Sequence, residues 1–330
     1  MHTKNCISEF MRPFITRDLF RCLLILLGLI MYGCTNDRHS DLPPEKQLDR
    51  GLEALSIFNF NEAQKFLSLA QPQYEVGSTN WPLATYSLAL ATWHSTPPNA
   101  ENVAKAKALL LQVVEQAPSS EFAASALVDL GRIEEASDYL GDVENIPSAR
   151  EYYQRVRMDF PQSEMSFRAT LFLAQTYAQT FDPEQVEIGI ELLDQLMASN
   201  PPEKWKGLAA QYTAQLYAFY LDQPEKAYDA YRMAVDSGLP RPADIDVSLW
   251  QFGLLAEKAG HELEAVEIYS EILREHPRSI YGTLAYQRAI DIAKRHPDEN
   301  IHVPEQVTSG VGRTAFSHPN EGVVNEEPDQ

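Results

Sequence analysis

The chain has 330 residues, and 44% of them are hydrophobic, which is enough to fill a core. It carries 47 Asp and Glu residues against 27 Lys and Arg residues, so its formal net charge at pH 7 is −20. A chain this acidic is repelled by phosphate backbones, and the composition therefore argues against nucleic acid as a partner.

The first predicted element is a secretory signal peptide over residues 1–33. An apolar run extends from Leu23 to Tyr32, and four basic residues precede it. A membrane-spanning helix needs about 20 apolar residues, so the run has the length of a signal-peptide core. Translation from Met11 instead of Met1 would give the basic segment a more ordinary length, and the sequence leaves both starts open.

The end of this run resembles a bacterial lipobox, in which small residues precede a cysteine that is lipidated and becomes the mature N-terminus. Here the cysteine is Cys34. The other two cysteines, Cys6 and Cys22, fall in the segment that processing would remove. The resemblance implies a lipid-anchored protein, and Thr35 after the cysteine favours the outer membrane. An ordinary signal peptide cut nearby and an uncleaved anchor are the alternatives.

Composition then divides the rest of the chain into three parts. Residues 34–46 are polar, contain a Pro-Pro pair and are predicted to form a flexible tether. Residues 47–297 have apolar residues at helical spacing and are predicted to be all-α. Residues 298–330 lack that spacing and are predicted to be a disordered acidic tail.

A residue skeleton recurs within the helical part. In its last copy Ala265 is followed by Tyr269, Ile272 and Pro277, at intervals of four, three and five residues. The other copies begin at the small residues Ala63, Ala106, Ala149, Gly189 and Ala227, and the prolines of successive copies are Pro118, Pro161, Pro201, Pro240 and Pro277. A repeat of this length indicates stacked helix pairs.

The first helix of each pair carries a small residue of its own: Gly51, Ala89, Gly131, Ala174, Ala214 and Gly253. Small residues on both helices let the two backbones approach closely. We expect the bulky residue four places after the second small residue to fill the groove toward the next repeat.

This skeleton resembles the tetratricopeptide repeat, most fully over residues 249–277. The resemblance covers residues 47–277 and implies a right-handed solenoid of about six helix pairs, with a capping helix from Ser279 to His296. The Pro-x-Ser junctions, in which serine would cap the next helix, are similar to those of envelope repeat proteins. These are the outer-membrane β-barrel assembly lipoprotein and the periplasmic coordinator of the Tol–Pal system, and the resemblance implies a scaffold for proteins.

No motif in the sequence indicates catalysis, so we predict neither an enzyme nor a cofactor, metal or small-molecule substrate. A phosphate-binding GxxxxGK[ST] loop does not occur. His261 and Glu262 stand in HELEA, which lacks the second histidine of a zinc-binding HExxH motif and is typical of a polar turn.

A protein-binding groove is the predicted site. In a solenoid of helix pairs the first helices line the concave face. The residues three before and one after each small residue would point into it: Tyr86, Leu90, Val128, Arg132, Leu171, Gln175, Gln211, Gln215, Trp250 and Leu254. This set has little positive charge, so the expected partner is a helix or extended segment held by apolar and amide contacts. Ordinary packing between repeats is the alternative for each side chain.

Two functions are consistent with these features. The first is a lipid-anchored scaffold that holds protein partners of an envelope complex at the periplasmic face of the outer membrane, for outer-membrane assembly or wall coordination. The second is an accessory module of a cell-wall or polysaccharide system that acts on carbohydrate.

Overall fold

The computed structural model describes residues 42–238 and 245–305, and every regular element within these ranges is helical. The predicted signal peptide, Cys34, most of the tether and residues 306–330 lie outside the described residues. The α-helices are α1 (Pro44–Ser56), α2 (Phe60–Ala70), α3 (Asn80–Trp93), α4 (Ala100–Gln116), α5 (Glu121–Glu135), α6 (Ile146–Asp159), α7 (Glu164–Ala178), α8 (Pro183–Ala198), α9 (Glu203–Gln215), α10 (Pro224–Asp236), α11 (Ile245–Lys258), α12 (Glu262–Glu275) and α13 (Gly282–Arg295). The all-α prediction is confirmed.

These helices correspond to the predicted pairs. Each of the six pairs from α1–α2 to α11–α12 contains one first-helix and one second-helix small residue, and α13 occupies the place of the predicted capping helix. The helical part begins at Pro44, three residues before the predicted boundary. At the other end the described chain continues past residue 297, where Ile301 and Val303 pack against the C-terminal core. The right-handed sense of the solenoid stays a prediction.

The chain divides into two compact units, residues 1–166 and 167–330, with the boundary in the first turn of α7. The sequence repeat is uniform across this point and contains no signal for the division. Unit 1 buries a core of small and aliphatic side chains from α1 to α6, including Leu67, Leu110 and Leu127. In unit 2 one cluster joins α7, α8 and α9, and a second joins Ala214 of α9 to α10, α11, α12 and α13.

Close packing within a pair depends on the predicted small residues. A Cβ added to Gly131 would lie 2.4 Å from Cε1 of Tyr153, and one added to Gly253 would lie 2.4 Å from Cε1 of Tyr269. Both tyrosines are fully buried. Each ring therefore covers the glycine of its own pair and needs the space that a missing Cβ leaves. That these rings also fill the groove toward the next repeat stays a prediction.

The predicted serine cap forms at one of three junctions. The hydroxyl of Ser163, just before α7, accepts a hydrogen bond from the N–H of Met165 at 3.2 Å. The hydroxyl of Ser279 accepts one from the N–H of Tyr281 at 3.1 Å, but Tyr281 is itself the N-cap residue of α13, so Ser279 does not cap that helix. Ser120 instead donates its hydroxyl proton to the carbonyl of Ala117, so it does not cap α5.

Candidate functional site

A pocket of about 320 Å³ opens in unit 2, among α7, α8, α9 and the segment that follows α9. This volume is at the lower end of the range for ligand pockets in proteins. Its lining is mainly aliphatic and aromatic, with two glutamine amides: Ala174, Gln175, Ala178, Phe181, Leu193, Tyr212, Gln215, Leu216, Phe219 and Tyr220.

One wall of the pocket forms where α7 and α8 come closest. A Cβ on Gly189 would lie only 2.9 Å from the carbonyl oxygen of Ala174, so the small residues predicted for this pair set the helix separation. Leu193, one turn after Gly189, is fully buried and forms the floor together with Ala174. The floor is therefore part of the packed core of unit 2, which makes it rigid.

The opposite wall is a π-helical turn, Leu216–Tyr220, that continues α9. The N–H of Leu221 donates to the carbonyl oxygen of Leu216 at 3.3 Å, one residue further along than in an α-helix. Such turns are rare and occur frequently at functional sites. Here the wider turn places Phe219 and Tyr220 at the mouth of the pocket.

Aromatic rings form the rim. Phe219 is 80% exposed and Phe181 is 78% exposed, although both line the pocket. Phe181 follows the end of α7 with φ at +55°, and its ring stacks on Tyr220 with the centroids 5.3 Å apart. Two large apolar rings that face solvent at a pocket mouth are typical of a surface that a partner covers.

The two amides, Gln175 and Gln215, were predicted from the sequence, and the structure brings both into this pocket. Gln175 is exposed and Gln215 is half-buried. Neither side chain has a hydrogen bond to another of the described residues. Each amide therefore presents a donor and an acceptor to whatever enters the pocket.

The surroundings of the pocket are acidic. Between Arg168 and Lys204 the sequence contains no Lys or Arg, whereas α8 and the turn before it contribute Asp182, Glu184, Glu187, Glu191 and Asp194. Burial raises the pKa of the Tyr217 phenol, and the nearby Asp194 and Glu187 carboxylates raise it further. The pKa of Asp194 is itself raised by partial burial and by Glu191. Burial is the larger cause of both pKa shifts, and the carboxylates add to it because they lie close to Tyr217 and to one another.

The other predicted residues of unit 2 have structural contacts. Leu171 is buried in the core beneath the pocket. The Gln211 amide lies 3.5 Å from the Tyr231 hydroxyl, at the limit of a hydrogen bond. Trp250 stacks on Tyr281 with centroids 5.4 Å apart. Leu254, like Gln211 and Trp250, is half-buried.

In unit 1 the predicted groove residues mostly contact one another or their neighbours. The Tyr86 hydroxyl donates to the carboxylate of Asp129 at 2.7 Å and so links α3 to α5. Leu90 is half-buried and Val128 is buried. Arg132 is exposed and pairs with Glu135 at 2.9 Å. Only Gln175 and Gln215 of the predicted set meet in a described pocket.

The aromatic rim was missed by the sequence reasoning. That reasoning followed the faces of the first helices and did not consider the turns within a pair, where Phe181 and Phe219 lie. The available signal was the apolar and aromatic run Leu216–Leu221, which directly follows Gln215.

Among the described residues, no group of three or more His, Cys, Asp or Glu side chains could hold a metal ion. Over the same ranges, no helix combines the length and the apolar character that crossing a bilayer requires.

No protein-family profile and no curated protein sequence matches the chain. Among solved structures, the chain is similar to the assembly chaperone of RpL4 (Acl4, residues 1–338), with 13% sequence identity, 78% of this chain and 98% of that chain covered, and a TM-score of 0.44. It is also similar to the TPR2AB domain in the pHSP90 complex of yeast Sti1, with 12% identity, coverages of 76% and 98%, and a TM-score of 0.28.

Proposed function

We propose that this chain is a non-enzymatic scaffold, anchored by a lipid on Cys34 at the periplasmic face of the outer membrane, that holds protein partners of an envelope complex. The observation that carries the protein-binding part is the pocket of unit 2. Its apolar floor is rigid, its aromatic rim faces solvent and its two amides are open to hydrogen bonds. These are the features of a site that holds an apolar side chain and the backbone beside it.

The anchoring part is supported by the sequence pattern that ends at Cys34. The helical part begins at Pro44, so ten peptide units separate the lipidated cysteine from the first helix. An extended chain of that length spans at most about 35 Å, which would keep the start of the first helix within that distance of the membrane surface.

The experiment is fractionation of cells that express the wild-type chain or Cys34→Ala. Wild-type protein is expected in the outer-membrane fraction after a high-salt wash, and the variant in the soluble periplasmic fraction with unchanged far-UV circular dichroism. A variant that stays in the membrane fraction contradicts the anchor.

Partner binding is tested separately on the wild-type chain. Affinity isolation after crosslinking should recover a defined envelope protein, and Phe219→Ala should lose it. Phe58→Ala is the matched control, because Phe58 is 77% exposed at the corresponding turn of the first pair and does not line this pocket.

One observation favours the alternative hypothesis, an accessory module that binds carbohydrate. The stacked Phe181 and Tyr220 rings with nearby amides are also the groups that bind a sugar ring. Titration of purified protein with soluble wall oligosaccharides separates the two readings. Heat release with the oligosaccharides that is lost in Phe219→Ala, without a recovered protein partner, would favour the accessory module.

A further inference from the structure

We infer that the pocket of unit 2 binds a large apolar side chain that is flanked by lysine or arginine in a partner segment. The inference rests on the proposed protein-binding function and specifies the chemistry of the partner. It follows from two properties of the same site, the apolar pocket and the carboxylates around it.

The pocket selects an apolar side chain by its lining. Ala174, Leu193 and Leu216 form a floor without charged groups, and the Phe181 and Phe219 rings stand at the mouth. A ring or branched aliphatic group that enters removes its own apolar surface from water and covers both exposed phenylalanines. A polar side chain would lose hydration there and gain only two amide partners.

The flanking charge follows from the position of the acidic residues. Asp182 and Glu184 directly follow the rim residue Phe181, and both are exposed. Asp194 follows the floor residue Leu193. The carboxylates of Asp194 and Glu187 raise the pKa of Tyr217, which follows the floor residue Leu216. Asp182 and Glu184 are therefore the carboxylates beside the mouth, and those of Glu187 and Asp194 lie near Tyr217.

Local cations leave the negative charge of these carboxylates largely uncompensated. Lys226 lies over the Tyr217 ring, 5.2 Å from its centroid. Among the described residues, no Lys, Arg or His forms an ion pair with the five carboxylates of residues 182–194. The other acid near the rim, Asp222, is already paired with Lys258 at 2.7 Å. A basic segment would be attracted at short range, whereas an acidic segment would be repelled.

The two amides set the form of the segment. Gln175 and Gln215 lie on different helices, α7 and α9, and line the same pocket. Together they can donate to and accept from the peptide groups next to the buried side chain. An extended segment, whose peptide groups are free, meets this requirement better than a helix does.

The test is a fluorescence-anisotropy titration with three fluorescein-labelled, amidated hexapeptides, KKFGKK, KKAGKK and EEFGEE. They are titrated against the full processed chain and its Phe219→Ala, Phe181→Ala and Phe58→Ala variants. We expect wild type to bind KKFGKK about tenfold more tightly than KKAGKK, since the ring is buried in the pocket. We also expect EEFGEE to bind at least as weakly as KKAGKK.

The peptide pair and the protein variants form a double-mutant cycle that removes the general attraction between an acidic protein and a basic peptide. In Phe219→Ala and Phe181→Ala the preference for KKFGKK over KKAGKK should fall to about twofold or less, and in Phe58→Ala it should stay near tenfold. Added salt should weaken the binding of KKFGKK to the wild-type chain. This loss of affinity should exceed the loss that Phe219→Ala causes for KKAGKK.

Three outcomes overturn the inference: equal binding of KKFGKK and EEFGEE, a preference for the phenylalanine peptide that survives Phe219→Ala, or no binding of KKFGKK to wild type. None of them decides the proposed function, because isolation of an envelope partner with wild-type protein would then place the binding surface elsewhere. Conversely, if the preference for KKFGKK over KKAGKK is lost in Phe219→Ala, the inference about the pocket holds even when Cys34→Ala stays in the membrane fraction.

Discussion

Replacing Gly253 by alanine tests how the helix pairs are held together. The new Cβ would lie 2.4 Å from Cε1 of Tyr269, whereas carbon atoms in contact are about 3.5–4.0 Å apart. The Tyr269 side chain is fully buried, and its hydroxyl donates to Glu257 at 2.6 Å, so the ring has no free direction in which to move. The helices α11 and α12 would have to separate by about 1 Å.

The expected change in the free energy of unfolding is the difference of two effects. Overpacking a core costs about 1–3 kcal/mol. Replacing glycine by alanine within a helix contributes up to about 1 kcal/mol in the opposite direction. The net expectation is a destabilisation of about 1–2 kcal/mol, which lowers the melting temperature by about 2–8 °C for a unit of this size.

Urea unfolding followed by far-UV circular dichroism measures this change. Gly282→Ala at the start of α13 is the matched control, because a Cβ there meets no atom within 4 Å, and it should be neutral or slightly stabilising. Gly131→Ala should reproduce the effect in unit 1, where Tyr153 takes the place of Tyr269. If Gly253→Ala is as stable as Gly282→Ala, the small residues do not set the helix separation and the steric account is wrong.

Three further predictions concern the C-terminal end. Deleting residues 306–330 should leave the melting temperature unchanged to about a degree. Deleting residues 298–330 should lower the free energy of unfolding in urea by about 1–2 kcal/mol, because it also removes Ile301 and Val303, which pack against the C-terminal core. Hydrogen bonds from Arg295 and His296 lower the pKa of Glu262, so the stability that Glu262 contributes is present above the unfolded pKa of about 4.3 and is lost as the pH falls through the lowered pKa. Acid unfolding monitored by circular dichroism should accordingly be less steep for Glu262→Gln, and an unchanged profile would show that this cluster is not coupled to folding. Ala265→Leu should cost about 1–3 kcal/mol and raise hydrogen exchange first in α13, and protection lost elsewhere first would contradict the nearest-neighbour coupling of the pairs.

The helix pairs were predictable because their cause is local and repeated. Gly253 and Ala265, twelve residues apart, mark the two helices of one pair, and the structure buries both at that contact. The small residues have the same steric reason in every copy, although they lie twelve residues apart only in the first and last pairs. The order of helices, their pairing and the approximate bounds of the cap follow from it.

The site was predictable only in part. Gln175 and Gln215 follow from counting along the helix from a small residue, and they meet in the pocket. The same count also selects Trp250, which packs on Tyr281 and Tyr269, because a position on a helix face does not tell whether the next helix will cover it. The π-helical turn depends on which carbonyl Leu221 bonds, and no residue type fixes that choice.

The turn after α7 combines a strained backbone and an exposed aromatic ring in one residue, Phe181. A left-handed residue follows the first helix closely at several turns: Phe58, Phe181, Asp222 and Gly260 all have positive φ. Glycine adopts this conformation without strain, whereas a residue with a side chain pays about 1 kcal/mol or more. At residue 181 the chain bears that strain and also leaves the phenylalanine ring 78% exposed, with one stacking contact to Tyr220. Glycine at this position would remove both costs without disturbing the backbone. Phe58 has the same positive φ and a similar exposure, so these two costs alone do not mark a binding site. Phe181 differs from Phe58 because its ring lines the pocket of unit 2 and stacks on Tyr220, where a partner side chain would cover it and offset its exposure.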